Sequence, residues 1–113
     1  MPGTRKLGRP TSHRLSMLRG MTTQLLDSGK LMTTVTRAKE VAPLAERVIQ
    51  LGKQNDLTAY RMAMNMVTRE DVVKKVFTDA SIRYAERDGG YTRITRVGVR
   101  RGDAAETALI EML

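Results

Sequence analysis

The sequence predicts an α+β fold in two layers: helices packed on a small sheet of about three strands, in the order α-β-α-α-α-β-β, with a flexible basic N-terminal arm in front. Three observations carry this reading. Apolar residues recur at helical spacing in four stretches between residues 12 and 80. A Thr-rich, β-branched run interrupts them at 31–35, and two further β-like runs follow the breaker pair Gly89-Gly90. Helices that must each bury one stripe, beside strands that must bury one face, pack as a two-layer domain. With 113 residues, no Trp, one Phe, three Tyr and eight Met, a single aliphatic, Met-filled core is expected.

The arm spans residues 1–11 and the globular domain residues 12–113. Pro2, Gly3, Gly8 and Pro10 punctuate the first ten residues, and Pro10 pushes Arg9 out of the helical region, so this segment is expected to be extended or disordered in isolation. Ser12 is an N-cap candidate for a first helix to about Asp27, with Leu15, Leu18, Met21, Thr22, Leu25 and Leu26 on one stripe and Gly29 ending it. The run 31–35 reads as a short strand, after which Thr34 or Thr36 caps a second helix. That helix carries Ala38, Val41, Ala42, Ala45, Val48 and Ile49; Pro43 predicts a kink or restart near Ala42, and Gly52 an end.

Asp56 caps a third helix with Leu57, Tyr60, Ala63 and Val67, and Val72, Val73, Val76, Phe77 and Ala80 mark a fourth. The runs 91–97 and 107–113 form a hairpin through a turn containing Arg100, Arg101, Gly102 and Asp103. Where the first strand joins the sheet cannot be read from the pattern.

Charge separates function classes better than fold does. The net charge of +8 and pI near 10.4 make a polyanion the natural partner. Five of the eight excess charges lie in residues 1–26, where Arg5, Lys6, Arg9, Arg14 and Arg19 precede the first carboxylate, Asp27. A second basic cluster is Arg93, Arg96, Arg100 and Arg101. The separation from acid, the Gly/Pro backbone and the continuation onto the first helix favour nucleic-acid binding through phosphate contacts. Tyr84 and Tyr91 are candidates for base stacking, with burial the commoner role for so scarce a residue type.

Catalysis fails on inventory. There is no Cys, so disulfides, thiolate metal sites and cysteine nucleophiles are excluded. His13 is the single imidazole, so neither a hydrolytic triad nor a multi-histidine metal site can be assembled. No phosphate-binding glycine fingerprint is present, and Gly89-Gly90 leads into a strand where a helix N-terminus would be needed. Arg101-Gly102-Asp103 matches a cell-adhesion tripeptide but reads better as a turn. No apolar run approaches a membrane span and no signal-type segment opens the sequence, so a cytoplasmic protein without membrane, cofactor, metal or small-molecule substrate is expected.

Several blocks together resemble one family, the bacterial large-subunit ribosomal protein L-seventeen. They are Arg5-Lys6-Leu7-Gly8-Arg9, Ser12-His13-Arg14, Met17-Leu18-Arg19, Thr33-Thr34, Arg37-Ala38-Lys39-Glu40, Arg83-Tyr84, Gly89-Gly90-Tyr91-Thr92-Arg93-Ile94, Arg101-Gly102-Asp103-Ala104-Ala105 and Ile110-Glu111, in family order. The resemblance implies a structural constituent of the large ribosomal subunit near the exit-tunnel face. Its implied partners are large-subunit (23S-type) rRNA and neighbouring ribosomal proteins, with no stand-alone homo-oligomer. It makes Arg5, Lys6, Arg9, His13, Arg14, Arg37, Lys39, Arg93 and Arg101 candidates for RNA contact; charge patterning adds Arg19, Arg96 and Arg100. The rival readings are a DNA-binding architectural protein, which lacks a recognition-helix arrangement, and an enzyme, which lacks the residues.

Overall fold

The structure is a computed structural model that describes residues 11–113, with side chains from Ser12 onward; the arm candidates Arg5, Lys6 and Arg9 lie outside the described residues. Four helices and three strands follow in the expected order: α1 (Thr11–Ser28), β1 (Lys30–Thr34), α2 (Val35–Gln54), α3 (Leu57–Met66), α4 (Glu70–Arg83), β2 (Thr92–Val99) and β3 (Glu106–Met112). Of the two capping candidates, Thr34 takes the role: it sits in an extended conformation and its hydroxyl accepts from the Arg37 amide at 3.4 Å. Asp56 caps α3 by accepting from the Ala59 amide at 2.7 Å, which holds its carboxyl below the usual range.

All three strands are antiparallel in the order β1-β3-β2. The predicted hairpin is present, and β1 enters beside β3, with Leu31 opposite Ile110 and Ile94 opposite Ile110 on the other side. β3 is therefore the central strand, and its Ala108 and Ile110 are fully buried. Against that face lies α2, whose Ala38, Val41, Ala45, Val48 and Ile49 are also fully buried, with α4 contributing Val72 and Val73 from behind.

Two expectations about α2 are corrected. The helix runs unbroken from Val35 to Gln54, so Pro43 produces no restart. Pro43 is exposed, and the Lys39 carbonyl that it leaves without a donor can accept from water, while the buried stripe on both sides of it fastens the helix to the core. Gly52 does not end the helix; Asn55, in the left-handed conformation, caps it, its amide bonding to the Leu51 carbonyl. Gly52 is instead buried at the α2–α4 crossing, where an added Cβ would stand 3.1 Å from Ala80 Cβ and 3.3 Å from a Val76 methyl. The helices touch through the missing side chain.

Polar ties lock the layers. Thr23 in α1 donates to the Arg19 carbonyl at 2.8 Å and accepts from both the Thr68 amide, at 2.9 Å, and the Thr68 hydroxyl, at 3.1 Å, joining α1 to the α3–α4 connection. Thr92 donates to Glu46 at 2.6 Å, joining β2 to α2. Tyr84 and Tyr91 are both buried, stacked edge to face at 5.0 Å, with the Tyr91 hydroxyl donating to Gln50 at 2.6 Å. Both rings belong to the core and neither is offered to a base.

Candidate nucleic-acid interface

Cations on this surface fall into two populations, those matched by a carboxylate and those that are not. At the junction of α1 and α4 they are matched: Arg69 bridges Asp27 (3.2 Å) and Asp71 (2.6 Å), Lys75 lies 3.9 Å from Asp27, and Lys74 lies 3.8 Å from Glu70. In the hairpin they are matched again. Arg96 pairs with Glu106 at 2.8 Å, Arg93 with Glu111 at 3.5 Å, and Arg100 with Asp103. The Arg100 guanidinium and the Ala105 amide hold the Asp103 carboxyl down to about 2. Only Arg101 among the four hairpin arginines has no ion pair among the described residues; it sits exposed in the turn, next to Gly102 at positive φ.

Unmatched cations lie on α1 and the outward side of α2, and Lys30, Lys53, Arg61, Arg83 and Arg87 elsewhere likewise have no carboxylate partner among the described residues. Before Asp27, α1 has no carboxylate. One row of its outward face, at i, i+4 spacing, is Ser12, Ser16, Gly20 and Gln24, all exposed, neutral and mostly short, with His13 and Arg19 exposed beside it. A phosphate backbone can approach such a row closely while the two longer side chains reach around it. Arg19 also borders a shallow groove lined by Leu15, Leu18, Leu44, Asn65 and Met66.

On α2, Lys39, Pro43 and Arg47 form an exposed row at the same spacing, and Arg37 is half-buried in the first turn. None of Arg19, Arg37, Lys39 or Arg47 has an ion pair among the described residues. Arg47 was not among the sequence-predicted contacts; its signal was its spacing of two i+4 steps from Lys39, legible once the helix is known to continue through Pro43.

Arg14, expected at the surface, is 5% exposed, and Glu40 is 4% exposed; they are the two buried charged side chains among the described residues. Of the sequence-predicted set, the structure places His13 and Arg19 exposed on α1, Arg37 half-buried and Lys39 exposed on α2, and Arg93, Arg96, Arg100 and Arg101 exposed on the hairpin. Among the described residues no cluster of three metal-ligating side chains occurs, and no helix is long and apolar enough to cross a membrane.

Comparison with known proteins adds a lineage to this geometry. The family described as Ribosomal protein L17 matches residues 17–113. The Large ribosomal subunit protein bL17 of Clostridium tetani (strain Massachusetts / E88) is 58% identical over 113 residues, covering 100% of each chain. Its counterpart in Desulfitobacterium hafniense (strain DSM 10664 / DCB-2) is 56% identical over 109 residues, covering 96% of this chain and 97% of its own. That of Clostridium acetobutylicum is 53% identical over 111 residues, covering 98% and 97%.

Proposed function

We propose how this surface is used from one premise: the chain belongs to the ribosomal protein L17 family. It is a structural constituent of the large ribosomal subunit and not an enzyme, working in the cytoplasm as part of the ribosome. Its task is to bind large-subunit rRNA and so support subunit assembly and translation.

The observation that carries the binding mode is the partition of charge. Phosphates are drawn to cations that give up no ion pair to meet them, and the ones on α1 and α2, Arg19, Arg37, Lys39 and Arg47, with the exposed His13 on the same helix as Arg19, are the proposed contacts. Arg5, Lys6 and Arg9 precede this face in sequence and are proposed to extend the contact. Arg101 adds a single cation from the hairpin turn. Arg93, Arg96 and Arg100 would each have to surrender a carboxylate first, and Arg14 is covered.

The test is retention on purified large-subunit particles through a salt-wash series. Deleting residues 1–10, or replacing Arg19, Lys39 and Arg47 together by alanine, is expected to release the protein at lower salt. Release at unchanged salt for both variants would reject the proposed face.

A further inference from the structure

Two members of the exposed α2 row, Pro43 and Arg47, also line a groove of about 590 Å³ between α2, α3 and the connection from α4 to β2. That volume lies within the range of clefts that hold small ligands. Pro43 and the exposed Met62 supply apolar walls, and a thioether beside a proline ring suits the flat face of an aromatic group. Arg47 stands at the rim, where the groove meets the outward side of α2.

The polar edges of this groove are already oriented by bonds within the protein. Gln50 accepts from the Tyr91 hydroxyl at 2.6 Å through its carbonyl oxygen, so its amide N–H groups are left to donate. Gln54 is set the other way: its amide nitrogen donates to Asp56 at 2.9 Å, which leaves the carbonyl oxygen to accept. Asp88 adds a carboxylate with no ion pair or hydrogen bond among the described residues, while Glu46, the other carboxylate here, is taken by the Thr92 hydroxyl. One donor and two acceptors thus surround an apolar slot. A phosphate inside it would meet two carboxylates, whereas a base would meet edges it can pair with. Guanine carries the complementary set, O6 to accept and N1–H and N2–H2 to donate. Uracil has a single donor, and adenine and cytosine each set one amino group beside a ring nitrogen that only accepts.

We infer that this groove receives a single unpaired guanine of the large-subunit rRNA, with Asp88 and Gln54 accepting from N1–H and N2–H2, Gln50 donating to O6, and Arg47 meeting the adjoining phosphate. The inference rests on the RNA-binding reading above and deepens it. Cations on α1 and α2 hold a backbone whatever its sequence, and the groove reads one base.

The experiment titrates the full chain with four five-nucleotide RNAs, uridine oligomers whose central position is guanosine, inosine, adenosine or uridine, and follows the Met62 methyl and the Gln50 and Gln54 side-chain amides by NMR. The guanosine RNA is expected to shift all three signals and to bind about tenfold more tightly than the adenosine and uridine RNAs. Inosine, which lacks the N2 amino group, should fall between them. Asp88→Asn, a change at an exposed position in a connection, should keep the spectrum of the fold and erase the preference. Equal affinities, a preference that survives Asp88→Asn, or shifts confined to α1 would each overturn the inference. Equal affinities alongside the expected salt-wash release would reject the groove alone, and a guanosine preference without any salt-wash effect would reject the basic face and rRNA as the source of the base.

Discussion

Replacing Thr23 by Val keeps the shape of the side chain and removes three hydrogen bonds, so its cost measures the polar tie between α1 and the α3–α4 connection in isolation. Thr23 is 4% exposed; its hydroxyl donates to the Arg19 carbonyl and accepts from the amide and hydroxyl of Thr68. Thr68 is exposed, so water can recover its hydroxyl in the variant, but its amide points at α1 and would lose its partner to a methyl group. One amide left without a partner in a partly buried place, with the other terms mostly offset, gives a loss of about 1.5 kcal/mol. For a domain of this size that lowers the Tm by roughly 6 °C. Thr23→Ser keeps the hydroxyl and removes one methyl, so it should cost under about 1 kcal/mol. The assay is thermal and urea unfolding of the three purified proteins, together with hydrogen exchange at the Thr68 amide, which should speed up in the Val variant only. A Val variant within about 0.5 kcal/mol of the parent, or a Thr68 amide equally protected in it, would refute the reasoning.

Three further outcomes are expected. Ile110→Ala, at the fully buried centre of the sheet, should destabilise by about 2–5 kcal/mol in urea unfolding, the range for opening a cavity in a packed core. Asp103 should titrate near 2, and because its folded value is depressed, the Arg100–Asp103 clamp contributes fully above the ordinary carboxylate range and is lost as pH falls from about 4 toward 2. Carbon-13 shifts of Asp103 would report that midpoint, and Asp103→Asn should abolish the pH dependence of the neighbouring Ala105 amide. In binding to an rRNA fragment, Arg19→Ala and Lys39→Ala should each flatten the salt slope by roughly one ion, whereas Arg96→Ala should leave it nearly unchanged. Equal slopes for Arg96→Ala and Arg19→Ala would argue against the charge partition.

What could be read from the sequence was local. The stripes of α1, α2 and α4, the Asp56 cap and the hairpin each show themselves within one element, through spacing and turn chemistry. Pro43 and Gly52 misled for the same reason: each has a strong local meaning that a neighbour overrides, solvent and the buried stripe for Pro43, and the surface of α4 for Gly52. The placement of β1 beside β3 depends on which strand lies between the others, information that no single segment carries. The candidate interface was legible as a sum of charges but not as a surface. Counting cannot tell that Arg93, Arg96 and Arg100 are held by carboxylates from later in the chain, nor that Arg14 is covered, while Arg47 stands free of ion pairs among the described residues.

The central position of β3 also sets an order of events during synthesis. β1 and β2 do not pair with each other; both depend on β3, which follows every other element in the chain. While the polypeptide is being made, the sheet has no middle and the core-side face of α2 has no floor. Closure waits for the contacts of longest sequence separation, the slow kind. The acid-free start of α1 leaves the ribosome long before that. The N-terminal cations are therefore made well before the sheet that completes the fold can close.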